Sequence, residues 1–392
     1  MKRLYLALAS FALTTLSLYA QSSGYTTDGY YRVWNKGSER YIYVKDNTGS
    51  YNLDVVDYGA IQLWKNPSRT ISDPSSVIYI RQVTDKKYDL EAQGTGIYKL
   101  VQHYVTINHM TDGSYEVYAS QSGVTKYLSD ISTSDTRERG TLGDGGKLNY
   151  RKWYVDKIDP SKEVNYFGLK PTVEAQGKWY CPFYAAFPFR TVSPGMKVYT
   201  ISIVDVAQKV AVLKEVEGDV PASTPVIVEC QSENPSDNRI DLLMQSAPAI
   251  KGNLLRGTFF ANDERPASKD SYVRYDAGSM RVLGTDGGKL TFVSTGKSIV
   301  QLEVYVNYQD VVYDCLAANH SYLPVPASMP AEFSVMTEEE YQKLGISGVR
   351  QDGKADAEGI YTMQGVQLSS KADTDGLPTG IYLVNGRKTV VR

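Results

Sequence analysis

The chain is short of the residues that most catalytic and metal centres are built from. Its 392 residues include three histidines, three cysteines and four tryptophans. No Cys pair has zinc-site spacing. No Gly-x-Ser-x-Gly or His-Glu-x-x-His run marks a hydrolase or a metallopeptidase. A basic excess is also missing: 42 Lys and Arg stand against 44 Asp and Glu, so the basic face a nucleic-acid binder needs is not expected. No apolar run reaches the ~18 residues of a spanning helix, so no transmembrane span is expected. Gly296-Lys297-Ser298 ends like a phosphate loop, but Thr291 stands where the first glycine belongs, and strand-like SIVQLEVYV follows. Without a helix N-terminus there is no amide cradle. No cofactor and no metal are expected.

The N-terminus carries the longest apolar stretch. Lys2 and Arg3 precede apolar residues 4–18, and Leu18-Tyr19-Ala20 offers a cleavage site before Gln21-Ser22-Ser23. This is the pattern of a secretory signal peptide over residues 1–20. Without Lys2 and Arg3, the 42 basic residues fall to 40 against 44 acidic ones, a net charge of −4. An exported chain is expected. Cys181, Cys230 and Cys315 each sit in or beside an apolar run and read as buried small hydrophobes; an exported chain could also pair two and leave one thiol.

What is abundant is tyrosine, at 31 residues against 9 Phe. Tyrosine suits strands and binding faces. Runs such as Tyr41-Ile42-Tyr43-Val44, Val77-Ile78-Tyr79-Ile80 and Tyr115-Glu116-Val117-Tyr118 are strand-like and bounded by Gly, Asp, Asn and Ser. Asp112-Gly113 and the twice-used Asp-Gly-Gly-Lys-Leu (144–148, 286–290) read as hairpin turns. Thr337 and Glu340 form a capping box for one short helix over 338–344, stopped by Gly345. The predicted class is all-β.

Residues 25–158 hold three loosely similar pieces, in which Tyr31, Tyr79 and Tyr118 are followed by Tyr41, Tyr88 and Tyr127. Tyr88 is an alternative opening for the second piece. Three β repeats that close one core together suggest a β-trefoil-like domain. The piece GYYRVWNKGSERYIYV (29–44) with Gln62 and Trp64 of IQLW resembles the first repeat of ricin-type β-trefoil lectins. That resemblance implies the fold, since Gln-x-Trp is mainly a core element there; it assigns no sugar contact here.

Residues 160–335 run as strand, Pro-Gly turn, strand pair, Pro-bounded strand and closing segment. They are similar to a β module of exported Bacteroidetes proteins, on an apolar Pro-Phe segment (179–205), a PAxTPV-like segment (221–226) and an ANxxYL-like segment (318–323). A β-sandwich-like module is expected, with Pro221, Pro225 and Pro235 at strand ends or edges. Residues 336–358 read as the short helix and a linker. Residues 359–392 form a C-terminal β segment that resembles an abbreviated type IX secretion sorting domain, on Ile360-Tyr361, Gln364-Gly365, Leu377-Pro378, Gly380-Ile381-Tyr382 and Asn385-Gly386. That resemblance implies contact with an export machinery and a place at the outer-membrane surface or outside the cell, the periplasm being the alternative. Two hairpin-like strands alone are marginal, so this tail is expected to dock on another domain or wait for a partner.

Candidate chemistry is sparse. His103 and His109 share a strand face but lie roughly 20 Å apart, too far for one metal. Cys315 and His320 are five residues apart, and a nucleophile pair needs contact and a third orienting group. Asp352, Asp356 and Glu358 miss the calcium-loop pattern. The positive signal is aromatic: Trp34, Tyr43, Tyr51, Tyr58 and Trp64 are the candidate ligand-binding residues, because flat rings stack on sugar faces and anchor protein contacts. The expectation is an exported recognition protein for a glycan or a host or dietary polymer, more readily than an enzyme. The alternatives are a secreted hydrolase with two loop carboxylates and a structural envelope protein.

Overall fold

The structure is a computed structural model. It describes residues 28–43, 62–64, 70–93, 104–121, 123–130, 140–143, 148–259, 273–306, 309–326, 330–343, 359–362, 367–370, 374, 377, 380–384 and 387–391. The signal peptide, Tyr51, Tyr58, His103, Asp144 and the linker 345–358 lie outside these residues. The described chain is almost entirely β, and no helix in it is long and apolar enough to cross a membrane.

Six strands of the first unit close a ring. Gly29–Asn35 pairs with Ile78–Thr84, which pairs with Lys87–Ala92; a bridge from Tyr88 to Val105 leads to Thr106–His109, which pairs with Tyr115–Gln121, then Lys152–Lys157, and so back to Gly29–Asn35. Two outer hairpins leave this ring, Tyr41–Tyr43 with Gln62–Trp64 and Val124–Asp130 with Gly140–Gly143. A closed six-strand ring with appended hairpins is the trefoil-like architecture expected from the repeats.

Register makes the repeats explicit. Trp34 faces Tyr41, Arg81 faces Asp89, and Tyr118 faces Tyr127 across three hairpins. The residue before each first member, Val33, Ile80 or Val117, points inward, and so does the residue after each second member, Ile42, Leu90 or Leu128. Tyr41 and Tyr127 are therefore equivalent, whereas Tyr88 falls one residue short of the equivalent Asp89. Alternation along each strand sends every second side chain to the shared core. Trp153 closes that core, fully buried, with its indole N–H donating to Leu128 O at 2.8 Å.

The second unit is sandwich-like. A ten-stranded sheet, from Val173–Ala175 at one edge to Arg256–Thr258 at the other, curls so that its ends approach. Its concave face holds Ile201, Leu213, Ile227, Leu283, Phe292 and Phe333. Its other face, through Cys181, Phe183, Val198, Val226, Val228 and Cys230, packs with Phe167, Phe189 and Ile240 of a three-stranded sheet. All three cysteines are free and buried, as their apolar settings predict. Gly287 and Gly288, both at positive φ, form the two-residue turn between Asp286 and Lys289, a conformation that glycine adopts without steric cost. The capping box is present: Glu340 N–H donates to Thr337 Oγ1 at 3.2 Å and Thr337 N–H to Glu340 Oε2 at 2.8 Å, over the helix Glu338–Lys343.

The two units share a core. Tyr30 and Val77 of the first belong to the same buried cluster as Phe187 and Phe167 of the second. Arg32, 1% exposed, crosses the junction and donates to Thr70 O, Ser76 Oγ, Asn165 Oδ1 and Tyr166 O. Burial lowers its guanidinium to about 10, so it stays charged at neutral pH while backbone and amide oxygens replace water. Gln93 and Asn319, both at left-handed φ, exchange amide hydrogen bonds over the same seam.

The tail is more extensive than a lone hairpin. Ile360–Thr362 and Gly380–Val384, the two runs that open on Gly-Ile-Tyr, pair with each other, and each gains an outer partner, Gln367–Ser369 and Arg387–Val391. The basic end strand Arg387–Val391 and the two Gly-Ile-Tyr runs are joined by a fourth strand, Gln367–Ser369, which the residues between the two runs supply. Ile360 is fully buried. Burial and the Asp205 carboxylate raise the Tyr361 phenol, and Asp205 itself accepts from Tyr341 at 2.7 Å. The tail thus sits against the end of the second unit.

Candidate functional site

The outer face of the strand Gly29–Asn35 changes character along its length. Tyr30 and Arg32 are covered at the junction, but the next residue on that face, Trp34, emerges half-buried. Its neighbours follow from pairing alone. Tyr154 lies directly across from Trp34 on the last ring strand, and Tyr41 across from it on the other side. The Trp34 and Tyr154 rings are 4.3 Å apart and inclined by 30°; Trp34 and Tyr41 are 6.2 Å apart and inclined by 33°. Three rings from three adjacent strands therefore make one half-buried row.

A carboxylate fixes the row. Trp34 Nε1 donates to Asp156 Oδ2 at 2.6 Å. Burial raises the Asp156 carboxyl above its ordinary range, while the indole donor lowers it. At the other end, Lys36 and Lys152 both donate to Asp112 Oδ2, at 2.8 and 2.7 Å. Their two hydrogen bonds, with those from Ser114, hold the Asp112 carboxyl far below the usual range. Lys152, Tyr154 and Asp156 alternate with the core residues Trp153 and Val155, so one strand supplies all three to the same face. At 4.3 Å the Trp34 and Tyr154 faces pack on each other, so the row presents ring edges and the outward faces of its end members, beside a fixed acceptor and ammonium donors. It holds no nucleophile–base pair.

The five residues predicted as ligand contacts separate. Trp34 stands in the row. Tyr43 is 2% exposed; it is on the same side of its strand as Tyr41, but the turn Pro74–Ser76 packs against that strand. It is a core side chain and offers no binding face. Trp64 lies in the strand paired with Tyr41–Tyr43, and Tyr51 and Tyr58 are outside the described residues. Sequence reading passes over Tyr41, Tyr154 and Asp156. The alternation in KWYVDK is the signal that finds the last two, once Trp153 is assigned to the core.

The other two repeats carry different pairs at the equivalent place. Tyr118 and Tyr127 are 5.4 Å apart, with Arg151 4.5 Å above the Tyr127 ring. Arg81 and Asp89 form an ion pair at 2.6 Å.

A cleft of about 840 Å³ opens at the junction, between Asp73 and Pro74 on one wall and Lys170, Glu233 and His320 on the other. Phe183 is the aromatic residue in its lining, with no Tyr or Trp among the described residues. Asp73 Oδ1 is committed to Ser75 N–H and Oγ–H. His320 Nδ1 is bonded to Ser298 Oγ at 2.9 Å, and burial lowers its imidazole to about 4. Cys315 packs with Leu302 in a separate cluster, so the structure does not bring Cys315 and His320 together as a nucleophile pair. His109 lies against Tyr115 at 5.1 Å. No group of three or more potential metal ligands occurs among the described residues.

Fold and site thus define an all-β protein with a trefoil-like unit built onto a sandwich-like one. No protein-family profile matches the chain and no curated protein matches it. Among solved structures it is similar to a designed 3-fold symmetric protein, ThreeFoil, at 16% identity and a TM-score of 0.26, over 33% of this chain and 100% of that one. The trefoil-like assignment rests on the strand ring and the repeat register, independently of that likeness.

Proposed function

We propose that this chain is an exported recognition protein whose first unit binds glycan on the Tyr41–Trp34–Tyr154 row. One observation carries the reading: three rings from adjacent strands stand in register on an emerging face, with Asp156 held beneath Trp34. The outer edges and end faces of such a row pack on the apolar faces of sugar rings, and a neighbouring carboxylate can accept from their hydroxyls. The second unit serves as a rigid spacer, its core continuous with the first. The signal-peptide pattern and the sorting-like tail support export and display at the cell surface.

Affinity electrophoresis of the intact chain through gels containing soluble polysaccharides tests this. At least one polysaccharide should retard the chain, and Trp34→Ala should abolish the retardation. Equal mobility in every gel overturns the reading.

A further inference from the structure

The end of the aromatic row nearest Tyr154 has an unbalanced charge. Lys36 and Lys152 converge on a single oxygen of one carboxylate, Asp112 Oδ2. The other Asp112 oxygen accepts from Ser114 N–H and Oγ–H. Two ammonium groups thus meet one anion. Each ammonium carries three N–H donors; Asp112 takes one from each, and Tyr154 is a second partner of Lys36. The Lys152 side chain is 11% exposed and that of Lys36 27%, and the Lys36 end of the pair is open to solvent and to a ligand. Among the described residues the neighbouring charges do not cancel the excess. Arg151 and Glu116 pair with each other at 2.9 Å. Asp156 lies on the far side of Tyr154 and is occupied by Trp34.

Position gives this excess a use. Lys152 and Tyr154 are on the same face of one strand, and Lys36 N–H donates to Lys152 O at 2.8 Å, which places the lysine pair beside the Trp34–Tyr154 stack. A sugar ring against that stack would carry a substituent over the two ammonium groups. We infer that the ligand is an acidic glycan, whose carboxylate or sulfate ester is received by Lys36 and Lys152 while its ring packs against the outer edge of the Trp34–Tyr154 stack. The inference rests on the glycan-binding reading and names its substrate class. Charge-assisted hydrogen bonds to an anion are among the stronger polar contacts, and they weaken with salt.

The test uses the intact chain and three polymers: polygalacturonate for the carboxylate, dextran sulfate for the sulfate ester, and unsubstituted dextran as the neutral control. At least one acidic polymer should bind about tenfold or more tightly than dextran. Lys36→Gln should remove most of that preference, and Lys36→Arg should keep it. Trp34→Ala should lower binding of every polymer that binds. A preference for one acidic polymer identifies the source of the anion. Equal affinity for acidic and neutral polymers, or a preference unchanged by Lys36→Gln, overturns the inference and leaves glycan binding standing. Binding that Trp34→Ala does not affect overturns the underlying reading as well.

Discussion

Trp34 and Asp156 are joined by a 2.6 Å hydrogen bond between adjacent strands, from the first and last strands of the ring. This bond sets the orientation of the indole that the proposed function depends on. Trp34→Phe keeps a ring but removes the donor. A half-buried carboxylate that loses its partner costs about 1–3 kcal/mol. The Asp156 carboxyl, already raised by burial, should rise further. The folded pKa then lies above the unfolded one, so the cost is largest at neutral pH and is relieved as pH falls through the folded value. Urea unfolding of Trp34→Phe and wild type at pH 7 and pH 4 checks both the size and the direction.

Arg32 anchors the seam by hydrogen bonds to neutral acceptors, with the Asp73 carboxylate acting on it only through space. Its donors end on carbonyls of Thr70 and Tyr166, the Asn165 amide and the Ser76 hydroxyl. Arg32→Met fills similar space but leaves several buried acceptors unpaired. The expected loss is about 3–5 kcal/mol, read as a shift of the urea midpoint. A loss below about 1 kcal/mol would mean that the junction relaxes around water.

Gln93 and Asn319 are coupled across the same seam. Asn319 Nδ2 donates to Gln93 Oε1 at 3.1 Å and also to Tyr184 O at 2.9 Å. Single alanine changes mix this loss with the strain of a non-glycine residue at left-handed φ. A double-mutant cycle with Gln93→Ala and Asn319→Ala cancels that strain and should leave a coupling of about 1 kcal/mol or more. An additive pair contradicts a rigid junction.

His320 makes stability depend on pH. An unfolded histidine protonates near 6.5, and the folded one near 4. Between those values the unfolded chain takes up a proton that the folded chain refuses. Stability is therefore full above about pH 6.5 and is lost as pH falls toward 4. The limit is about 3 kcal/mol, and because His320 also faces the cleft, about half of that is expected. His320→Asn should flatten the difference between urea midpoints at pH 7 and pH 5.

The sequence made the strand-rich class, the hairpin turns at Asp112-Gly113 and Gly287-Gly288, and the Thr337–Glu340 cap readable, because each depends on neighbouring residues. The repeat register depended on pairing: tyrosine spacing matched Tyr41 to Tyr127, but the ladder puts Asp89, not Tyr88, at the equivalent position. The aromatic row was half visible. Trp34 was marked by its type, whereas Tyr154 joins it only because residue 34 and residue 154 meet when the ring closes. Tyr43 was marked by its aromatic type alone. The turn Pro74–Ser76, remote in sequence, packs against its strand. The fourfold tail sheet was obscured because Gln367–Ser369 is short and polar, with no strong strand pattern of its own.

The most direct measurement of the central claim is a broad glycan array probed with the intact chain beside its Trp34→Ala/Tyr154→Ala double variant. The account predicts saccharide signals for the wild type that disappear in the double variant, while near-ultraviolet circular dichroism, after allowance for the two lost rings, reports a folded chain. A wild type without any saccharide signal, or a folded double variant with the same signals, would contradict it.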